Sequence, residues 1–177
     1  LVAGNQLVGR AIAVADQQID QQIRRRVRAA AAPRQRRDTH AQLLRFGFSD
    51  VLDRLGLVEG QYLVASIHRE ENVDSPDRLE SALASLAAVA ADQQVPMLVS
   101  THPRTRKRIE QYGFEAGADV ILHAPLGFSD YVRLQMSARC VISDSGTISE
   151  ESTMLGFPAV TMRDAIERPA RPEVTPW

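Results

Sequence analysis

Short apolar segments alternate with helical patterns from residue 60 onward, and this alternation constrains the fold more than any other feature of the chain. Five of the segments are predicted strands, at residues 62–66, 95–100, 119–122, 140–142 and 159–162. Helical spacing lies between them, at residues 76–91, 103–112, 129–138 and 148–155. The strands are mostly apolar throughout, which is typical of a parallel sheet covered by helices on both faces. The pattern therefore predicts an α/β fold with a doubly wound, Rossmann-like parallel sheet.

Helix start and stop signals support the same division of the chain. Ser75 is a predicted N-cap with Pro76 at the first helical position, and Gly113 and Gly156 follow the last residues of two later helices. An earlier helical pattern, at residues 39–55, ends at Gly56. Residues that start or end helices therefore fall between the predicted strands, as the α/β pattern requires.

Length, charge and cysteine content restrict the class of protein. The 177 residues suffice for one well-buried domain, and a net charge of −1 does not indicate nucleic-acid binding by the whole chain. The longest apolar-rich stretch, residues 82–91, is too short to span a membrane. Cys140 is the single cysteine, so no intramolecular disulfide can form, and it is predicted to be a core residue. We expect a cytoplasmic protein with neither a nucleic-acid nor a membrane partner.

The first 38 residues differ from the rest in charge. A helical pattern at about residues 8–28 leads into an Ala- and Arg-rich linker, and eight arginines precede residue 38. An RNA- or membrane-binding arm and a solvated helix face are both compatible with this pattern, and the lack of interleaved aromatic residues favours the helix face. We expect three parts: a helical segment with an Arg-rich linker at 1–38, the Rossmann-like domain at 39–169 and an atypical tail at 170–177.

Polar side chains follow the predicted strands at the point where each strand ends. They lie at residues 68–72, 101–104, 123, 143–147 and 163–164, a set that we call the carboxyl edge. In open α/β sheets, ligands bind beyond the carboxyl ends of the strands. The sequence therefore predicts a ligand site at the carboxyl edge.

The turn Ser-Asp-Ser-Gly-Thr at 143–147 has the properties of an anion site. It precedes a predicted helix, so free backbone N–H groups, the helix dipole and the hydroxyls of Ser145 and Thr147 suit a phosphate. Glu150 or Glu151, one turn into the helix, is placed to bind a vicinal diol such as ribose. The alternative is an ordinary N-cap followed by an acidic first turn.

Two common nucleotide-binding signatures are missing from the sequence. It contains neither Gly-x-Gly-x-x-Gly nor Gly-Lys-Ser/Thr, which disfavours the usual dinucleotide fingerprint and a nucleoside triphosphatase. No Cys/His group has zinc spacing, so we predict no metal and expect no cofactor.

Four motifs at the carboxyl edge resemble those of the non-hydrolysing UDP-N-acetylglucosamine 2-epimerase family. They are Ser-Ile-His-Arg-Glu-Glu-Asn-Val-Asp at 66–74, Ser-Thr-His-Pro at 100–103, Ser-Asp-Ser-Gly-Thr-Ile-Ser-Glu-Glu at 143–151 and Arg-Asp-Ala-Ile-Glu-Arg-Pro at 163–169. Their order and spacing fit the family. Within the family, Thr147 in place of a second glycine, followed by Ile-Ser-Glu-Glu-Ser at 148–152, resembles the sequence of the branch that makes UDP-N-acetyl-L-fucosamine.

The resemblance implies a fold and a set of partners. Family members have two Rossmann-like domains facing each other across a cleft, as in GT-B glycosyltransferases, with UDP held mainly by the second domain. This chain resembles the second domain alone, so the resemblance implies a missing N-terminal domain, a UDP-sugar substrate and a homodimer of the full-length protein. Alone, the chain is expected to bind UDP without epimerising.

The resemblance also assigns roles at the reacting centre and around the phosphates. His68 is implied to contact the sugar-diphosphate at the reacting centre. The diphosphate is implied to bind Ser145, Gly146 and Thr147, with Arg168 adding positive charge beside it. A phosphate suits a helix N-terminus and a guanidinium. For His68 the alternative is a capping or core histidine.

Three further residues are candidates for substrate binding. The resemblance implies that Glu151 holds the ribose hydroxyls and that Tyr131 stacks on uracil. Tyr131, Leu134 and Ala138 also have the spacing of a buried helical stripe. His102 is a candidate of the same site, although His-Pro also forms an ordinary helix start.

The family's reaction inverts C2 of the sugar by eliminating UDP across C1–C2, which gives a 2-acetamidoglycal, and then adding UDP back while C2 receives its proton on the other face. The catalytic carboxylates lie mostly in the first domain. Two other classes share the sequence features: the donor domain of a GT-B glycosyltransferase and a non-catalytic UDP-sugar-binding module. The glycosyltransferase is not expected to carry His-Arg-Glu-Glu-Asn at 68–72.

Overall fold

The sheet is parallel throughout and carries the strand order of a Rossmann-like fold. The computed structural model describes residue 21, residues 23–30 and residues 49–162. Within these residues five strands pair in the order β3-β2-β1-β4-β5. Their bounds are β1 Leu63–Ser66, β2 Met97–Ser100, β3 Val120–His123, β4 Cys140–Ser143 and β5 Ala159–Thr161. The predicted doubly wound sheet is confirmed.

Helices connect consecutive strands and lie on both faces of the sheet. Residues 23–30 are helical and form α1. The other helices of the described part are α2 Val51–Leu55, α3 Glu70–Val73, α4 Pro76–Gln93, α5 Pro103–Tyr112, α6 Phe128–Ser137 and α7 Ile148–Leu155. Among these residues, no helix combines the length and apolar character that a membrane crossing requires.

The central strands β1, β2 and β4 bury both of their faces, which explains why their sequence segments are apolar. Leu63 and Ala65 of β1 pack with α1 and α4 in one apolar cluster, whereas Val64 packs with α6 in the other. Cys140 is buried in the first cluster, as predicted. Removing this apolar surface from water on two sides is the main stabilising contribution to such a sheet.

The helix α1 is amphipathic. Ile23, Val27 and Ala30 are buried against the sheet, and Arg28 is exposed and forms an ion pair with Asp92 at the end of α4. The predicted helical pattern is thus present at residues 23–30. The rest of 1–38, and the tail at 170–177, lie outside the described residues.

Local signals place the helix ends correctly. The helix α5 begins at Pro103 and ends at Tyr112, and Gly113 follows in the left-handed conformation with φ 71°. Ser75 precedes α4 in an extended conformation, but its side chain makes no capping hydrogen bond.

Two features at the carboxyl edge differ from the sequence prediction. Strand β4 extends one residue beyond the predicted segment, because Ser143 pairs with Ser66 on one side and Thr161 on the other. The four-residue helix α3 is new, since a single turn is too short to give a periodic pattern. The turn after β4 therefore begins at Asp144.

Candidate functional site

The predicted site lies where the strand order reverses. Strand β1 leads to β2 on one side, whereas the neighbouring β4 leads to β5 on the other side. The loops after β1 and β4 thus diverge, which opens the crevice where ligands bind in folds of this type. His68 follows β1, and the turn of Ser145, Gly146 and Thr147 follows β4.

Asp144 joins the two loops. Its side chain is fully buried, and Oδ2 accepts hydrogen bonds from the backbone N–H groups of His68 at 3.1 Å and Arg69 at 3.0 Å. The side-chain amide of Asn72 donates to the same oxygen at 3.0 Å. These bonds compensate the loss of water around a buried carboxylate. Asp144 therefore fixes the loop that carries His68 against the end of β4.

The His68 ring lies at the mouth of the crevice. Its Nδ1 is 3.1 Å from Asp144 Oδ1, and 51% of its side chain is exposed. Because Nδ1 faces the buried carboxylate, Nε2 occupies the opposite edge of the ring. This partly exposed position argues against a core histidine, and the contact of His68 with a sugar-diphosphate stays a prediction.

The turn after β4 is organised by its own hydroxyl groups. Ser145 Oγ lies 3.0 Å from Thr147 Oγ1 and accepts the Thr147 backbone N–H at 3.3 Å. The buried Ser143 hydroxyl accepts the N–H of Ser145 at 3.1 Å. Thr147 is the N-cap residue of α7, and Gly146 is exposed. The turn thus presents hydroxyls and a helix N-terminus at the surface of the crevice, which suits an anion.

Glu151 lies one turn into α7 and is held by two side chains. The Thr147 hydroxyl donates to Oε1 at 2.6 Å, and the amide of Gln135 donates to Oε2 at 3.3 Å. Gln135 is buried on α6. These contacts fix a carboxylate beside the phosphate-suited turn, in the position where a ribose diol is expected.

Tyr131 lies on α6 and interacts electrostatically with Asp144 and Glu151. Its ring is partly buried and packs against the apolar cluster that contains Leu134 and Ala138. The pKa of its phenol is raised above the ordinary value, because the effect of burial exceeds the opposing effect of a hydrogen bond with Ser66. The observed packing matches the buried helical stripe, and uracil stacking stays a prediction.

His102 occupies the start of α5, at the end of the neighbouring strand β2. The side chain is exposed, and Nδ1 accepts the backbone N–H of Arg104 at 3.3 Å. This contact is an N-cap, so the ordinary helix start that His-Pro predicts is present. Arg168 lies outside the described residues.

Charged residues beside His68 are engaged with one another. Arg104 forms ion pairs with Glu70, at 2.8 Å, and with Asp74. Arg69 pairs with Glu71 at 2.6 Å. Between residues 49 and 162, and in α1, no group of three or more His, Cys, Asp or Glu side chains is placed to hold a metal ion.

Sequence reasoning assigned no role to Asp144 or Gln135. Both contact residues that are far away in the chain: Asp144 meets His68, and Gln135 meets Glu151. The one local indication of a role for Asp144 is that its carboxylate directly follows an apolar strand. Nothing local distinguishes Gln135, because a glutamine in a helix is ordinarily exposed.

The fold and the site define a class of protein: a Rossmann-like domain with a phosphate-suited turn at its topological switch point. The sequence profile of the family described as UDP-N-acetylglucosamine 2-epimerase matches residues 26–174. The chain therefore belongs to the UDP-N-acetylglucosamine 2-epimerase family.

Individual relatives are similar over much of this chain and a smaller part of their own length. The probable UDP-N-acetylglucosamine 2-epimerase of Ralstonia nicotianae is 34% identical over 143 residues, which cover 80% of this chain and 37% of the relative. The UDP-2,3-diacetamido-2,3-dideoxy-D-glucuronate 2-epimerase of Pseudomonas aeruginosa is 36% identical over 106 residues, covering 60% and 29%. The chain spans about a third of the length of these relatives.

Solved structures of the family share the fold. The UDP-N-acetylglucosamine 2-epimerase of Rickettsia bellii superposes with a TM-score of 0.55 at 38% identity, covering 71% of this chain and 32% of that one. The enzyme of Methanocaldococcus jannaschii, in complex with UDP-GlcNAc and UDP, gives a TM-score of 0.59 at 25% identity, covering 71% and 36%.

Proposed function

We propose that this chain is the UDP-binding half of an enzyme that inverts C2 of a UDP-2-acetamido sugar. Residues 39–169 form the UDP-binding domain in this proposal. The observation that carries it is the junction at Asp144, which brings His68 of one loop to the phosphate-suited turn of the other. Membership of the epimerase family supports the reaction type.

The proposed diphosphate site is the turn of Ser145, Gly146 and Thr147. Backbone N–H groups at the start of α7 and the Ser145 hydroxyl donate to phosphate oxygens, while the Thr147 hydroxyl keeps its bond to Glu151. The helix dipole favours the negative charge of the phosphates. Glu151 then accepts hydrogen bonds from the ribose hydroxyls. Its contacts with Thr147 and Gln135 hold the carboxylate in place before the nucleotide arrives, which reduces the entropy lost on binding.

The proposed reaction has two steps that mirror each other. A base removes the proton from C2, the electron pair forms the C1–C2 double bond, and the C1–O bond breaks to release UDP. UDP then adds back to C1 while C2 receives a proton on the other face. His68, at the sugar-diphosphate, stabilises the charge that develops on the leaving phosphate.

The base in this proposal comes from a further domain. Near His68, Asp144 is buried with its oxygens engaged, and Glu70 and Glu71 are paired with Arg104 and Arg69. These carboxylates are poorly suited to remove a proton from an unactivated carbon. We therefore propose that a first domain, facing the carboxyl edge, supplies the catalytic carboxylates.

The relatives' names indicate which part of the substrate is shared. Both the UDP-N-acetylglucosamine and the diacetamido-glucuronate enzymes are 2-epimerases of UDP-sugars, and they differ in the sugar. This is consistent with a domain that binds UDP and leaves the sugar to other contacts. We propose the N-acetyl-L-fucosamine branch on the basis of Thr147.

Deuterium exchange at C2 tests the proposed reaction. The chain is mixed in D₂O with a first domain taken from the Ralstonia nicotianae relative and supplied, in separate samples, with UDP-N-acetylglucosamine and with UDP-N-acetyl-L-fucosamine. We expect deuterium at C2 in the mixture, none with either part alone, and none with a His68→Ala chain. A mixture that binds UDP but leaves the C2 proton untouched would contradict the epimerase reaction and favour a glycosyltransferase or a binding module.

A further inference from the structure

We propose that Asp144 is a positioning residue that fixes the tautomer and orientation of the His68 ring. The proposal rests on the proposed function only in that His68 contacts the UDP-sugar. In the His68 ring, Nδ1 carries the proton and faces Asp144, while Nε2 faces the ligand.

The two oxygens of Asp144 have different partners. Oδ2 accepts the backbone N–H groups of His68 and Arg69 and the amide of Asn72, all within 3.0–3.1 Å. Oδ1 lies 3.1 Å from Nδ1 of the His68 ring, with a longer contact of 3.3 Å to the His68 N–H. Oδ2 thus holds the loop, and Oδ1 holds the ring.

This geometry selects one tautomer. An ionised carboxylate can only accept hydrogen bonds, so Nδ1 must carry a proton to bond with Oδ1. Neutral His68 then exposes a lone pair on Nε2, and protonated His68 exposes an N–H donor there. A carboxylate that orients histidine through one nitrogen in this way fixes the chemistry of the other nitrogen.

Burial makes Asp144 effective in this role. The side chain is fully buried, so water does not compete with the ring for Oδ1, and the 3.1 Å contact between Oδ1 and Nδ1 is electrostatically stronger than it would be at the surface. Asp144 cannot itself reach a diphosphate, because its oxygens are engaged below the turn. Its effect on the ligand therefore passes through His68.

The substitution Asp144→Asn has a specific consequence. The three donors around Oδ2 require an oxygen at that position, so the amide NH₂ of asparagine takes the place of Oδ1 and faces Nδ1. Nδ1 must then accept instead of donate, and the proton moves to Nε2. The substitution Asn72→Ala is the matched control, since it removes a donor from Oδ2 and leaves the contact between Oδ1 and Nδ1 intact.

Nuclear magnetic resonance of the ring nitrogens reads the tautomer directly. The chain has four histidines, and the His68 signals are those that disappear in His68→Gln. We expect the Nδ1–H tautomer in the wild-type chain and in Asn72→Ala, and the Nε2–H tautomer in Asp144→Asn. An Nε2–H tautomer in the wild-type chain would overturn the proposal even if Asp144→Asn failed to fold. An unchanged tautomer in folded Asp144→Asn would overturn it too.

Titration with UDP separates positioning from a structural role. In the wild-type complex the protonated ring donates its Nε2–H to the diphosphate, whereas the ring of Asp144→Asn donates without the positive charge. We therefore expect Asp144→Asn to weaken UDP binding about tenfold, the effect of replacing one charge-assisted hydrogen bond by a neutral one, and to cause no additional loss in a His68→Gln background. Losses that multiply in the double variant would mean that Asp144 acts on the loop and not through His68. A wild-type chain that does not bind UDP would contradict the proposed function, while the tautomer would still decide the present inference.

Discussion

Tyr62 provides a test of the core beneath the site, because its phenol is buried at the start of β1. The side chain is fully buried, and its hydroxyl donates to the carbonyl of Leu134 at 2.8 Å. Burial raises the pKa of the phenol well above its ordinary value of 10.0. The substitution Tyr62→Phe removes the hydroxyl and keeps the ring.

The expected effect of Tyr62→Phe changes sign with pH. At pH 7 the variant loses about 1 kcal/mol of unfolding free energy, the usual value of one hydrogen bond; the Leu134 carbonyl still accepts the N–H of Ala138 at 3.0 Å. A pKa raised by folding contributes stability that is fully present below pH 10 and is lost as pH rises. The wild-type chain therefore loses up to about 1.4 kcal/mol per pH unit above pH 10, a loss that the variant lacks. The two stabilities should be equal at about pH 11, and the variant should be more stable beyond it.

Urea unfolding followed by circular dichroism at pH 7, 9, 10 and 11 measures this crossing. The other two of the three tyrosines are the same in both proteins, so their ionisation cancels in the difference. A difference that stays constant from pH 7 to pH 11 would refute the reasoning, because it would mean that the phenol of Tyr62 ionises as freely in the folded chain as in the unfolded one.

Two further predictions concern other parts of the fold. Gly117→Ala should lower the thermal unfolding midpoint more than Gly113→Ala. Both glycines have positive φ, at 85° and 71°, but only at Gly117 would a Cβ crowd a neighbour, the Ala87 Cβ at 3.2 Å; equal midpoints would contradict this. The hydrogen bond from Arg28 lowers the pKa of Asp92 from 3.8 to about 2, so its small stabilising contribution is present above about pH 4 and lost as pH falls through 2. Asp92→Asn should therefore flatten the dependence of the urea midpoint on pH in that window, and parallel profiles would show that the pair contributes nothing.

Much of the fold follows from local sequence patterns. Apolar runs predict the five strands, and in β1, β2 and β4 these runs reflect the burial of both faces of the strand. Gly113 predicts a helix end because the left-handed backbone there favours glycine. The short helix α3 could not be predicted in this way, since four residues make a single turn.

The candidate site was predictable only in part. The turn of Ser145 to Thr147 has a local signature, a hydroxyl-rich loop between a strand and a helix. The role of Asp144 depends on the pairing of β1 with β4, which brings Ser66 and Ser143 within 2.8 Å although they are 77 residues apart. The order of strands in the sheet cannot be predicted from any one segment of the sequence. The contact between Asp144 and His68 therefore required the three-dimensional structure.

Calorimetric titration with UDP tests most directly whether the turn after β4 is a diphosphate site. The wild-type chain is compared with a Ser145→Ala/Thr147→Val variant and with Thr153→Val, a control on the same helix whose exposed hydroxyl bonds only its own helix at Ser149. Saturable binding by the wild-type chain and the control, weakened at least tenfold in the double variant, is the expected result. Equal affinity in all three proteins, or no binding by a folded wild-type chain, would contradict the assignment of the site.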